Sequence, residues 1–346
     1  MEYRGIIEKI VNRSSLSFDE AVELALKVMS GEVSEAIISA ILVGLRMKGE
    51  SVEEIAGFAS AMKRMAVKID GSKAIDIVGT GGDGHSTINV STATALLISA
   101  LHPVAKHGNR AVSGRSGSAD VLEALGYKIE VEPSKAEELL KEVNFVFLFA
   151  PLYHPAMRRV MPVRKMLGIR TIFNILGPLT NPASPRMVVV GAFSKSFAEK
   201  MAQVLLILGI ERAFVVHGDP GIDEVSPEAM THVYEVRGGS VEYYTLEPKD
   251  FGVKPVPLTN VIATNPEDSA IRILRASKGL DKAAATFIKV NASVAMVLTG
   301  HAKDFRDGAE LAEQLLPNLL NRVKMIVESN GDVSRLKDLL TKVGAV

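Results

Sequence analysis

Ala74-Ile75-Asp76-Ile77-Val78-Gly79-Thr80-Gly81-Gly82-Asp83-Gly84 decides how the chain is read. An apolar strand over 74–78 runs into four glycines in six residues. Glycine adopts positive φ without a steric penalty and lets backbone approach a ligand closely. Successive N–H groups of such a turn can cradle phosphate oxygens, helped by a helix N-terminus nearby. That helix follows: Asn89-Val90-Ser91-Thr92 opens a buried apolar segment extending to Leu101. Asn and Ser are common helix caps, and the same terminus can offer N–H groups and hydroxyls to a phosphate or a magnesium ion.

Working outward, strands alternate with helices. Strands are expected at 103–106, 128–131, 145–149, 187–190 and 213–216, with helices at 119–125, 134–143 and 196–208. Residues 154–168 read as a helix, basic on one side, and Asn174 to Pro182 as a loop. Gly238-Gly239 splits a hairpin of 233–236 and 241–244. Alternation of this kind implies a mostly parallel sheet covered by helices.

The first 70 residues read as wholly helical. Ser17-Phe18-Asp19-Glu20 and Ser51-Val52-Glu53-Glu54 are capping boxes, and Ser34 caps a third helix over 35–47. The run Ala36 to Val43 is apolar on most faces and needs cover on more than one side, as a helical dimer interface would supply. The fold class is therefore α/β: a small all-helical domain plus a larger α/β domain with a mostly parallel central sheet flanked by helices.

The 346 residues carry 40 Lys+Arg and 40 Asp+Glu, a balance unlike that of a general nucleic-acid binder. With no cysteine, disulfide scaffolds, thiolate metal sites and thiol nucleophiles are excluded. No uncharged apolar run approaches the roughly 18 residues of a membrane span. Acids interrupt the apolar N-terminus, unlike a secretory signal. A cytoplasmic protein with no membrane partner is expected.

Three further features bear on chemistry. The loop nearly fits a Walker A pattern, but His85 stands where Lys must be. It also fits G-x-G-x-x-G, yet the acid wanted about 20 residues on is replaced by a basic stretch. An NADP enzyme stays open on that ground. The stretch from Lys106 to Asp120 combines cationic side chains, glycines and serines, and reads as a lid able to wrap a polyphosphate. Asp223-Glu224 lies just past a strand, where paired carboxylates suit Mg²⁺. Neither a G-x-S-x-G elbow nor an H-E-x-x-H motif occurs.

Taken in order, these pieces resemble the anthranilate phosphoribosyltransferase family. The likeness rests on Gly79 to Asp83, Asn89 to Thr92, Lys106 to Asp120, His154-Pro155-Ala156-Met157, Arg164, Asn174 to Pro182 and Asp223-Glu224. It spans most of the chain. His85 and Ser86 lie in a variable stretch and take no role. The resemblance implies a helical domain of residues 1–70 with a contribution from about 155–185, and an α/β domain of 71–154 and 186–346. It implies a homodimer through the helical domain. Pyrimidine nucleoside phosphorylases share the fold, but their Lys-His-Ser-Thr-Gly-Gly loop is absent.

The resemblance also assigns residues. Gly79, Gly82, Asp83, Thr87, Asn89, Val90, Ser91, Thr92, Lys106, His107, Gly108, Asn109, Arg110, Ala111, Val112, Ser113, Gly114 and Ser118 look like contacts to phosphoribosyl pyrophosphate. Gly79, Asn109 and Arg164 look like anthranilate contacts, and Ser91, Asp223 and Glu224 like positions for two Mg²⁺ ions. Arg164 has a physical case as well, since a guanidinium grips a carboxylate bidentately. The reaction implied joins the 5-phosphoribosyl group to the anthranilate amine in tryptophan biosynthesis, with no side chain assigned as acid, base or nucleophile.

Overall fold

The computed structural model describes residues 3–111 and 116–344. Four helices lead: α1 (Tyr3–Val11), α2 (Phe18–Ser30), α3 (Glu35–Lys48) and α4 (Val52–Arg64). Both capping boxes close. Ser17 Oγ accepts from the Glu20 N–H at 3.3 Å while Glu20 accepts from the Ser17 N–H at 2.9 Å. The Ser51–Glu54 box matches it at 3.2 and 2.8 Å. Ser34 occupies the N-cap position of α3, but its side chain makes no capping bond, so that expectation fails.

Glu54 does more than cap. Its carboxylate is fully buried, accepts the Leu16 N–H at 2.9 Å and pairs with Lys48 Nζ at 2.8 Å. Removing it strands a buried ammonium and two N–H groups. Glu54→Ala is therefore expected to cost about 3–5 kcal/mol in equilibrium denaturation, the range for breaking a buried pair. Glu8→Ala, which breaks an exposed pair with Arg4, should cost less than about 1 kcal/mol.

The second part is a seven-stranded sheet of order β3-β2-β1-β4-β5-β6-β7. Strands β1 (Ile75–Gly79), β2 (Val104–Gly108), β3 (Phe145–Phe149), β4 (Met187–Gly191) and β5 (Arg212–Gly218) are parallel. A hairpin of β6 (Thr231–Arg237) and β7 (Ser240–Leu246) adds antiparallel at the β5 edge. Between the strands lie α5 (Val90–Ile98), α6 (Ser118–Ala124), α7 (Pro133–Val143), α8 (Ala150–Tyr153), α9 (Met161–Leu167) and α10 (Lys195–Ile207). The chain closes with α11 (Pro266–Ser277), α12 (Lys282–Leu298), α13 (Phe305–Leu315), α14 (Leu319–Ser329) and α15 (Val333–Val343).

The period of two along the strands divides the interior into two cores. Val188, Val190, Ala213 and Val215 face a core shared with α1 to α4 and α10. Val189, Phe214 and Val216 face the other, shared with α5, α12 and the closing helices. Val160, Val163, Ile172, Phe173 and Leu176 join the first core, so the 160–176 segment packs with the N-terminal helices.

Two expectations are corrected. Residues 128–131 are not a strand. Lys128 exchanges hydrogen bonds with Asn330 at 3.0 and 2.8 Å, and Val131 accepts from the Tyr153 hydroxyl at 2.7 Å. Those partners satisfy the backbone, leaving β3 as the sheet edge. Residues 154–168 form a 3₁₀ turn, Pro155–Arg159, and then the short α9, instead of one helix. Pro162 lacks the N–H that a continuous helix would use, and is placed in the first turn of α9.

Candidate active site

The sheet reverses direction between β1 and β4. From β1 the chain builds outward to β3, then returns across to β4. Ligands in open α/β sheets gather beyond the carboxyl ends of strands at such a point. Gly79 and Gly191, the last residues of β1 and β4, are paired in register there. Asp223, beyond β5, lies over both. A Cβ on Gly79 would sit 2.5 Å from Asp223 Oδ2, and one on Gly191 would overlap the Asp223 backbone. Only glycines let the carboxylate lie across these strand ends. A cleft of about 1300 Å³ opens above them.

The glycine loop forms one wall. Gly81, Gly82 and Gly84 have φ of 64°, 76° and 83°, the left-handed region that the sequence demanded of them. Asp83 folds back to accept the His85 N–H at 3.0 Å. Beyond it Thr87 and Ile88 are held by strand-like contacts to Ile262 and Val261. Asn89 then caps α5, its Oδ1 accepting from the Thr92 N–H at 3.1 Å. Gly79, Gly82, Asp83, Thr87, Asn89, Val90 and Ser91 all line the cleft. Thr92 does not: its side chain is fully buried, and its hydroxyl has no partner among the described residues. One residue is about 100° of helical rotation, so Ser91 faces the cleft while Thr92 turns into the core.

Asp223 Oδ2 accepts the Gly81 N–H at 2.6 Å, and Glu224 Oε2 accepts the Thr87 hydroxyl at 3.0 Å. Burial, with the Asp83 charge adding to it, pushes the Asp223 carboxyl up to about 7. Burial, followed by the charges of Asp223 and Asp83, raises Glu224 well above the usual range. These anions are held close together at a cost that a cation would remove. Among the described residues, no three acidic or imidazole groups close a cage around an ion. Two hard carboxylates beside an open cleft nevertheless fit Mg²⁺, which keeps waters and takes the rest of its oxygens from substrate phosphates.

Lys106 lies beneath the loop, 1 % exposed. Its ammonium donates to the Ile77 carbonyl at 2.5 Å and to Ser91 Oγ at 3.1 Å. Burial lowers it to about 8, with Asp76 and Asp223 opposing that shift. Asp76 is itself fully buried and pushed up to about 6. Its oxygens accept from the His107 N–H at 3.2 Å and from Asn181 Nδ2 at 2.7 Å. Sequence reasoning missed both Asp76 and Asn181, because neither touches the cleft that the motifs describe.

His107, Gly108, Asn109, Arg110, Ala111 and Ser118 line the cleft. A Cβ on Gly108 would meet Ser118 Oγ and, at 2.8 Å, the fully buried Phe147 ring, which has no room to give way. Arg110 is tied sideways to Glu123 and Asp120 in an exposed ion-pair cluster, so its guanidinium is already engaged. The expected contacts Val112, Ser113 and Gly114 lie outside the described residues.

The opposite wall comes from the helical side. Arg164 lies 6.0 Å from the Phe173 ring centre and has no carboxylate partner among the described residues. Burial lowers its pKa. His107 and His154 meet edge to face at 5.1 Å, both buried. Burial brings them down to about 3 and about 4, so both rings are neutral at pH 7. Phe173, Pro178, His154, Met157 and Arg170 complete this wall. All five stood in stretches singled out in the sequence or beside them, but nothing local marked their side chains as facing a ligand.

Two family models of a glycosyl transferase family match the chain: the helical bundle domain over residues 4–66 and the a/b domain over 71–318. The anthranilate phosphoribosyltransferase of Saccharolobus islandicus is 52% identical over 99% of both chains. That of Metallosphaera sedula is 50% identical over 97% of this chain and 98% of its own. Among solved structures, the enzyme of that name from Thermus thermophilus superposes with a TM-score of 0.85 at 38% identity, covering 97% of this chain and 100% of its own. The Saccharomyces cerevisiae enzyme, solved with PRPP and Mg, also gives 0.85, at 28% identity over 94% and 97%. With half its residues identical along nearly its whole length, the chain belongs to the anthranilate phosphoribosyltransferase family.

Proposed function

We propose that this protein transfers the 5-phosphoribosyl group from phosphoribosyl pyrophosphate to the amine of anthranilate, releasing pyrophosphate, as a step of tryptophan biosynthesis. One observation carries the reading: the cleft has two chemically different walls. The α/β wall offers glycine N–H groups, hydroxyls, a lysine and paired carboxylates. The helical wall offers apolar and neutral aromatic surface with the guanidinium of Arg164. A diphosphate with its cations suits the first, and an aromatic carboxylate suits the second.

The chain's own residues then bind and orient. The loop of Gly79, Gly82, Asp83 and Thr87, with Asn89, Val90 and Ser91, holds the phosphoribosyl half. Lys106 supports it from beneath the loop, and His107 to Ala111 with Ser118 cover it. Asn109 and Arg164 hold anthranilate, with its amine toward C1 of the ribose near Gly79. Such positioning turns a bimolecular encounter into a near-unimolecular one. The amine lone pair forms the new C1–N bond as the C1–O bond breaks. The bonding electrons leave with pyrophosphate, and the amine proton is lost to solvent. When bound, Mg²⁺ supplies positive charge against the departing diphosphate. Ser91, Asp223 and Glu224 would hold two such ions.

The domain division read from the sequence, 1–70 with 155–185 against the rest, belongs to the same proposal. So does a homodimer through the helical part, supported by the exposed Val11 and Met47 on α1 and α3. A cytoplasmic location follows from the ionic substrate, which does not cross membranes unaided.

The test is loss of anthranilate fluorescence with phosphoribosyl pyrophosphate, with and without Mg²⁺. Magnesium-dependent loss with equal release of pyrophosphate is expected, and no loss under either condition would overturn the reading. Arg164→Ala should raise KM for anthranilate about tenfold or more, as for a lost charge-assisted hydrogen bond, with kcat less affected. Unchanged anthranilate kinetics would remove Arg164 from the site.

A further inference from the structure

Arg170 lies between the basic 154–168 segment and the Asn174–Pro182 loop, outside both. It follows α9, in the segment that packs with the N-terminal helices through Ile172 and Phe173. Its side chain is exposed and reaches across the cleft to the glycine loop. There Nη2 donates to the Gly82 carbonyl at 3.3 Å, between residues 88 apart in sequence. The guanidinium lies 5.8 Å from the centre of the Phe193 ring. Phe193 follows β4, and its N–H donates to Thr80 Oγ1 at 3.1 Å. No carboxylate pairs with Arg170 among the described residues, in contrast to Arg212, which pairs with Glu235 at 3.0 Å. A Cβ on Gly82 would overlap the guanidinium, so glycine at 82 gives the arginine its room as well as its own φ of 76°.

The glycine loop is thus gripped from two sides. Asp223 takes the Gly81 N–H from below, and Arg170 takes the next residue's carbonyl from the helical side. In a trans peptide the C=O and the following N–H point in opposite directions. Holding the Gly82 carbonyl toward Arg170 therefore turns the Asp83 N–H to the far side of the loop. A cation on the carbonyl also polarises that peptide and makes the N–H a better donor.

We infer that Arg170 is a positioning residue for the diphosphate-bearing substrate: it fixes the Gly82–Asp83 peptide from across the cleft and ties the helical wall to the phosphate loop. Rotation of the Gly82–Asp83 peptide, which two left-handed glycines make easy, would remove a donor from the loop. Arg170 opposes that rotation. It also makes the approach of the helical wall sense the conformation of the loop. The inference rests on the proposed reaction but goes beyond it, since no motif and no carried-over role includes this residue.

The experiment uses the full chain with Arg170→Ala and Arg170→Lys. KM for each substrate, kcat and the rise in melting temperature given by phosphoribosyl pyrophosphate with Mg²⁺ are measured. Arg170→Ala is expected to raise KM for phosphoribosyl pyrophosphate about tenfold or more, the scale of one charged hydrogen bond, with KM for anthranilate within about twofold. The melting-temperature rise at fixed substrate should shrink in parallel. Arg170→Lys keeps the charge without the planar fork and should recover part of both effects. The ligand-free melting temperature should stay at the wild-type value, because the side chain is exposed. An unchanged KM for phosphoribosyl pyrophosphate, or equal rises in both KM values, would overturn the role. Absence of activity in the wild-type chain would instead strike the proposed reaction, and the melting-temperature arm would still report on Arg170.

Discussion

Asp223→Asn with Glu224→Gln is expected to lower turnover about a hundredfold or more, the scale seen when a group stabilising developing charge is lost. The substitutions are nearly isosteric and keep the acceptors. The amide oxygens can still take the Gly81 N–H and the Thr87 hydroxyl, so the loop stays where it is. Only the negative charge goes, and with it the attraction for Mg²⁺. Stability should move the other way. Both carboxyls are raised above their ordinary values by burial and by like charge, so the folded state disfavours their ionised form. That penalty is fully present above the folded pKa, shrinks as pH falls below it and is gone only at the ordinary carboxylate pKa of the unfolded chain. At pH 8 without metal, the double variant should therefore melt no lower than the wild type, and higher if repulsion dominates. Low activity with undiminished stability would mark the pair as functional. Near-normal turnover in the presence of a chelator would sink the magnesium assignment.

Much of this was legible because short-range chemistry fixed it. The capping boxes at Ser17 and Ser51, the glycines at 81, 82 and 84 and the strand of residues 145–149 follow from local sterics and hydrophobic patterning. The carboxylate pair was legible from its place just past a strand. What escaped was set at long range. Lys128 to Val131 has strand-like alternation, yet its hydrogen bonds go to Asn330 and Tyr153, which no local pattern reveals. Thr92 carries the same hydroxyl as its neighbours, and only the helical rotation from Ser91 turns it inward. Arg164 and Arg170 stand six residues apart in one basic stretch. The first meets Phe173 and the second meets the glycine loop, a division that depends on how the 155–185 region crosses to the sheet.

Lys106→Met should be the most damaging single change, lowering kcat/KM for phosphoribosyl pyrophosphate on the order of a hundredfold to a thousandfold. The argument is electrostatic. Lys106 brings a positive charge into a site where Asp76, Asp83, Asp223 and Glu224 already concentrate negative charge, under a loop proposed to hold an anion. Its ammonium is the donor to both the Ile77 carbonyl and Ser91 Oγ, so it also sets the direction of a hydroxyl proposed to meet Mg²⁺. Methionine matches the length of the stem and leaves packing nearly intact. It leaves Asp76 without its cation, and that carboxyl, already near 6, should rise further and bind a proton at neutral pH. Lys106→Arg should not restore activity, because a planar fork does not fit a buried slot made for a compact ammonium. The measurement is kcat/KM for each substrate in turn. A selective fall for phosphoribosyl pyrophosphate is expected, and an equal fall for both would mean that Lys106 holds the fold of the cleft and not its substrate. If the fall is selective, the charge at the base of the loop and the carboxylates above it act as one device: the ammonium holds the anion that the metal ions must reach, and the metal ions relieve the acids that burial has strained.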